Sequence, residues 1–238
     1  MSLLKRPPLY RLVEQPVGSA FQMDTACSIM FPIMLITPLI LASASPRRKQ
    51  LLAEAGFVFR TLPPDGSAED QRRTDELPEE YVRRLAFQKA NNVADKVEEG
   101  IILGGDTVVL CGERILEKPT DRSDARNMLQ QLRGQIHRVL SGLCLITKES
   151  NGQMRIRQEV ETTRLIMQPI SDDLLESYLD TGTWQGKAGA FGYQDDNDWI
   201  TILEGSESNV VGLPLELFRT MYGSATELPT ELSMDSPK

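Results

Sequence analysis

The chain has 238 residues, 40% of them hydrophobic and 25% charged, the balance of an ordinary globular protein with enough length for one large domain or two small ones. Its formal net charge of −8 argues against general affinity for DNA, RNA or anionic membrane, so a local cluster of cations stands out. Three cysteines (Cys27, Cys111, Cys144), far apart and without a CxxC pair, suit a reducing, cytoplasmic compartment and exclude a thiolate zinc site.

Residues 26–44 are nearly all apolar and end in Ala42-Ser43-Ala44, which mimics a secretory signal with its small-residue cleavage site. Asp24, the lack of a nearby basic cluster, Pro32, Pro38 and the distance from Met1 speak against that reading and against a membrane-spanning helix. Residues 35–43 read instead as a core strand, with residues 1–34 as an N-terminal extension of undetermined order. Ser45 then suits a helix N-cap and Pro46 the first helical position; Leu51, Leu52 and Ala55 supply an apolar stripe that Gly56 can close. Arg47, Arg48 and Lys49 at this helix start oppose the helix dipole unless an anion compensates. Together with the free N–H groups, Ser43 and Ser45 they read as a phosphate trap; the plain alternative is a solvated basic turn.

Further along, 57–62 reads as a strand and 63–76 as a polar stretch that includes Glu69 and Asp70. Pro78 opens a helix to about Val97 with Val82, Leu85, Ala86, Val93 and Val97 on one face, and Arg83, Arg84 and Lys89 off that stripe or at its edge. A short strand, 101–103, ends at Gly104-Gly105-Asp106-Thr107; 108–110 and 114–116 form a hairpin leading to Lys118-Pro119. A helix capped by Asp121 or Ser123 closes at Gly134, and 139–146 with 154–168 form a two-stranded ribbon. Ser171 caps a helix with Leu174, Leu175, Tyr178 and Leu179 as its apolar face. A glycine-rich 186–192 run, a strand at 199–203, a polar loop at 206–209 and a helix from Pro214 complete the domain, 35–223, with 224–238 as a polar tail. Alternating strands and helices give an α/β or α+β class with a mixed sheet.

Several positions carry chemistry. Asp106, preceded by two glycines at the end of a strand, reads equally as a metal ligand or a base for water and as a turn aspartate. Lys118 is held in extended backbone by Pro119, yet alone it reads as a solvated lysine, as does Lys89. The 182–188 segment approaches a phosphate loop but is one residue short, has Ala188 in place of a metal-binding hydroxyl and follows a helix, so a P-loop is rejected. Small residues around Lys187 still allow close approach of a ligand. The Gln194 amide offers a donor and an acceptor together, as a base edge requires, although a surface glutamine fits the local pattern as well. His137 is the one histidine, which excludes a histidine-rich metal site; it reads as structural, and any metal falls to carboxylates, water and substrate phosphates.

Taken in order, Leu41-Ala-Ser-Ala-Ser-Pro-Arg-Arg48, Tyr81-Val-Arg-Arg-Leu-Ala86 with Lys89-Ala90, Leu103-Gly-Gly-Asp-Thr-Val-Val109, Ile115-Leu-Glu-Lys-Pro119, Gly186-Lys-Ala-Gly-Ala-Phe-Gly-Tyr-Gln194 and Asn209-Val-Val-Gly-Leu-Pro214 resemble the Maf family of nucleoside triphosphate pyrophosphatases across about 37–222. The resemblance implies a Maf/ITPase-like fold, a mixed twisted β-sheet with flanking helices forming two lobes around a central cleft. It also implies hydrolysis of a nucleoside triphosphate to the monophosphate and pyrophosphate with Mg²⁺ or Mn²⁺, in a homodimer. By that similarity Asp106 matches the proton acceptor, and Ser43, Arg47, Lys89 and Lys118 match polar positions around the phosphates, with Lys89 and Lys118 expected to be catalytic. The local pattern adds Arg48, Thr107, Lys187 and Gln194 as expected substrate contacts, and Glu69 as a carboxylate that either completes a metal site with Asp106 or stays solvated. Arg47, Thr107 and Gln194 match the branch resembling dTTP/UTP pyrophosphatases; a 7-methyl-GTP enzyme and a non-catalytic, nucleotide-binding inhibitor of septum formation are the alternatives. The chain departs from the family at Thr183-Trp184, at 195–198, where a glycine-rich stretch is usual, and at Glu207-Ser208.

Overall fold

A computed structural model describes residues 37–66, 72–195 and 198–226. The expected extension 1–34, Glu69, Asp70 and residues 227–238 lie outside the described residues.

The apolar run at the chain's first described strand forms β1 (Leu39–Ala42), buried along its whole length. The turn after it enters α1 (Pro46–Glu54), where Ser45 caps the Arg48 amide and Pro46 occupies the first turn. Gly56, at φ +83°, turns the chain back toward β2 (Phe59–Thr61), parallel to β1. Helix α2 (Pro78–Ala94) follows, then β3 (Gly100–Cys111), β4 (Arg114–Leu116), α3 (Arg122–Leu132), β5 (Ile136–Lys148) and β6 (Met154–Met167). The chain closes with α4 (Asp172–Asp180), β7 (Ile200–Glu204), α5 (Glu207–Val211) and α6 (Leu215–Thr226).

The sheet is mixed, in the order β2-β1-β3-β5-β6-β7, with β4 on β3. Its β2-β1-β3 part is parallel and the remainder antiparallel. Strand alternation divides the core. Ile40, Ile102 and Cys144 face α2 with Ala86, Ala90 and Val93, whereas Leu39, Leu41, Ile101 and Leu103 face Leu52, Phe218 and Met221 of α1 and α6. Each such fully buried aliphatic side chain contributes about 1.5–3 kcal/mol of transfer free energy. Among the described residues no helix is long and apolar enough to cross a membrane.

The structure differs from the sequence expectations in four places. β3 is one continuous strand through Asp106, because β5 pairs with it from Gly100 to Leu110. Gly104 and Gly105 therefore do not end a strand. A Cβ on Gly104 would overlap the Ala86 carbonyl oxygen, and one on Gly142 of β5 the Val82 carbonyl oxygen, so these glycines let α2 lie directly on the sheet. Residues 207–211 form a short helix capped by Ser206, too short to show a periodic pattern. Leu174 is exposed, and α6 extends through 224–226, which were expected to belong to the tail.

Candidate active site

β1 pairs with β3 up to Ala42–Gly104, and β4 begins pairing only at Val109–Leu116. Between these points one edge of β3 has no partner strand among the described residues, and a cavity of about 530 Å³ opens there, lined by Ser43, Arg47, Arg48, Lys89, Asp106, Thr107, Lys118, Lys187 and Gln194, all expected from the sequence. That volume suits a small-molecule ligand. The carboxyl end that opens the site is that of β1, as open α/β sheets do at their ligand crevices.

The two faces of β3 send neighbouring residues to different helices. Asp106 shares the face of Gly104 and meets Lys89 of α2, with Nζ–Oδ1 at 2.6 Å and side-chain exposures of 13% and 6%. Lys89 was expected off the apolar stripe or at its edge; it is buried because its α2 turn rests on Gly104. Thr107 points the other way, where its hydroxyl accepts from Arg48 Nη2 (3.0 Å) and lies 2.8 Å from Ser141 Oγ.

The first turn of α1 supplies the cations. Arg48 is buried; Nε donates to Gly212 O at 2.8 Å and Nη1 to Ser43 Oγ at 3.3 Å. Arg47 donates to Val211 O (3.4 Å) and to Gly186 O (3.0 Å). Both arginines thus satisfy carbonyls at the carboxyl end of α5, where the helix dipole is negative. These carbonyls offset part of the unfavourable charge at the start of α1, a compensation the sequence did not reveal. Lys49 is exposed and does not line the cavity.

The opposite wall is the 185–195 loop. Gly189 donates to Glu117 O at 3.0 Å, and its φ of +68° brings the backbone against Val109, where a Cβ would lie 2.9 Å from Cγ2. Lys118 and Gln194 line the cavity with exposed side chains. Lys187 also lines it, ion-paired to Asp195. Tyr178 of α4 donates to the same Asp195 Oδ2 at 3.0 Å and accepts from the Gly192 amide at 3.2 Å. Burial pulls the Arg47 guanidinium below its ordinary value, and the Asp195 charge works against that.

Asp195 and Tyr178 were not singled out from the sequence as site residues, and neither were the α5 carbonyls. The one available signal was that 195–198 departs from the usual glycine-rich stretch. His137 lies buried outside the cavity, edge-on to Phe191 at 5.4 Å between ring centroids; burial lowers its pKa, so it is neutral at pH 7. Among the described residues no three His, Cys, Asp or Glu side chains gather as a ready-made metal cage. The Asp106 carboxylate fits a hard divalent ion nonetheless: it lines the cavity, and its Oδ2 accepts no hydrogen bond among the described residues. Water and substrate phosphate oxygens commonly complete such a site.

A profile described as Maf-like protein matches residues 38–225. A dTTP/UTP pyrophosphatase of Rhodopirellula baltica is 46% identical over 179 residues, 75% of this chain and 78% of that protein. One from Koribacter versatilis is 42% identical over 185 residues, 77% of this chain and 92% of that protein. A solved nucleoside-triphosphatase, a dITP/XTP pyrophosphatase from Mycobacterium abscessus, matches over 81% of this chain and 98% of its own, with a TM-score of 0.36 and 13% identity. The profile covers both the sheet and the cavity, and by that match and those identities the chain belongs to the Maf family.

Proposed function

We propose that the chain is a nucleoside triphosphate pyrophosphatase that cleaves dTTP or UTP between the α- and β-phosphates, giving the monophosphate and pyrophosphate. The observation that carries this reading is the Lys89–Asp106 pair in a cavity that Arg47, Arg48 and Lys118 also line. Asp106, with one oxygen fixed by Lys89, holds the other toward water and accepts its proton as the water oxygen bonds to phosphorus. The bridging oxygen leaves with pyrophosphate. Arg48, Lys89 and Lys118 offset the charge on the phosphate oxygens; positioning and charge neutralisation are the main demands of phosphoryl transfer. A divalent cation, Mg²⁺ or Mn²⁺, held by Asp106 and by Glu69, would supply further neutralisation.

Ser43 and Thr107 orient the Arg48 guanidinium, and Arg47 ties α1 to the loop that carries Gln194. The Gln194 amide matches the alternating donor and acceptor edge of a uracil or thymine ring. The same reading has the protein acting as a cytoplasmic homodimer, which gel filtration and cell fractionation test.

Pyrophosphate release from dTTP, UTP and 7-methyl-GTP, each with Mg²⁺ and with Mn²⁺, is the deciding experiment. Release from the two pyrimidine nucleotides well ahead of 7-methyl-GTP is expected. Preference for 7-methyl-GTP overturns the base assignment, and tight binding without turnover of any nucleotide overturns the activity.

A further inference from the structure

Among the described residues the cavity is lined by five cations, Arg47, Arg48, Lys89, Lys118 and Lys187, and by three carboxylates, Asp65, Asp106 and Asp195. Asp65 is engaged away from them, by Lys96 at 2.8 Å. Asp106 holds Lys89, and Asp195 holds Lys187. The second of these pairs is a built arrangement. One oxygen, Asp195 Oδ2, takes both the Lys187 ammonium and the Tyr178 hydroxyl, and Tyr178 is itself fixed by the Gly192 amide. A Cβ on Gly192 would strike both Lys187 Nζ and the Asp195 carboxylate, so that position has room only for glycine while the pair stands.

The two pairs stand on different walls. Lys89 and Asp106 bridge α2 and β3, whereas Lys187 and Asp195 lean on Tyr178 of α4. A polyanion that enters the cavity thus meets an ammonium on the loop wall as well as the cations around Asp106. If the loop ammonium captured a phosphate, the chain of phosphorus atoms would be drawn off the carboxylate meant to activate water. We propose that Asp195 is a positioning residue that withholds Lys187 from phosphate, so that the triphosphate is gathered by the cations around Asp106 and the loop wall is left to the nucleoside. This rests on the proposed pyrophosphatase reading and adds to it a residue that acts through charge on its neighbour, without touching the reacting atoms.

The test is equilibrium titration of the full chain with inorganic pyrophosphate, for the parent, Asp195→Asn and Asp195→Ser, alongside thermal melts. A substituted chain that melts within a few degrees of the parent is expected to bind pyrophosphate about tenfold more tightly, the scale of one charge-assisted hydrogen bond gained. In turnover the same chain shows stronger product inhibition and a lower kcat with little rise in KM. Adding Lys187→Met to Asp195→Asn is expected to return pyrophosphate affinity toward the parent value, which a merely structural role would not do. Unchanged or weaker pyrophosphate binding in a well-folded variant overturns the proposal. So does early melting of both variants, which makes Asp195 a structural residue. The titration needs no turnover, so a parent that releases no pyrophosphate from any nucleotide sinks the activity and leaves this result standing.

Discussion

The Lys89–Asp106 and Lys187–Asp195 pairs line one cavity and are both mostly buried, yet they are held by different means. The first joins a helix to a central strand, and its spacing is set by main chain lying on main chain at Gly104 and Gly142. The second joins two points of a loop, and its position depends on the Tyr178 hydroxyl and the Gly192 amide. Packing of regular elements gives the first pair a fixed geometry. Hydrogen bonds from a neighbouring helix give the second one a geometry that single polar contacts can alter. Chemistry that depends on a proton at a stated atom belongs with the rigid pair, and tuning of charge with the loop.

Substitutions can break this contrast. Asp106→Asn is expected to lower pyrophosphate release about 10³-fold while nucleotide binding, followed by titration, is retained; this is the scale of losing a general base. A parent-like rate would mean that Asp106 takes no proton. Gly142→Ala puts a methyl group into the Val82 carbonyl and is expected to cost about 1–3 kcal/mol in denaturant unfolding, with turnover falling as Lys89 is lifted away. Tyr178→Phe removes one hydroxyl from the loop pair and is expected to cost about 1 kcal/mol, with a smaller loss of turnover than Gly142→Ala. Equal losses in these two variants would erase the distinction between a rigid and a tunable pair.

The smallest effect concerns pH. Burial depresses the folded pKa of His137 below 6.5, and its Nε2 has no hydrogen-bond partner among the described residues. The unfolded chain therefore binds the proton more readily. The stability His137 contributes is present above pH 6.5 and lost as pH falls through the depressed folded value. Unfolding free energy should decline over that window in the parent and decline less in His137→Gln. A His137 ring that titrates at 6.5 or above by NMR would contradict this.

The fold was legible where local chemistry decides it. Ser45, Asp121 and Ser171 cap the helices expected of them, and Gly56, Gly134 and Gly182 adopt the left-handed conformation at helix ends. Gly104 and Gly105 were expected at the end of a strand, because spacing along a strand does not say which neighbouring strand and helix will lie across it. Lys89 looked solvated for the same reason: its burial is a property of the helix–sheet contact. The partners of Lys187 and Asp195 are set by tertiary folding of a loop that has no period, so no pattern in the sequence links them to Tyr178. Arg47 and Arg48 were recognised as an anomaly at a helix start. Their ties to Val211 and Gly212 span more than 160 positions, beyond any local signal.

The close seating of α2 on Gly104 and Gly142 limits how this protein can drift. A contact between side chains can be retuned one methylene at a time, with neighbours repacking to absorb each step. A contact between backbones has no such intermediate stages, because the smallest possible change is a whole methyl group that the carbonyl beneath it has no room to receive. The 185–195 loop can be altered by substitution and still leave the same reach from the Lys89 ammonium to the Asp106 carboxylate. Two residues with no side chain, and no part in any bond that is made or broken, are thereby among the least replaceable in the molecule.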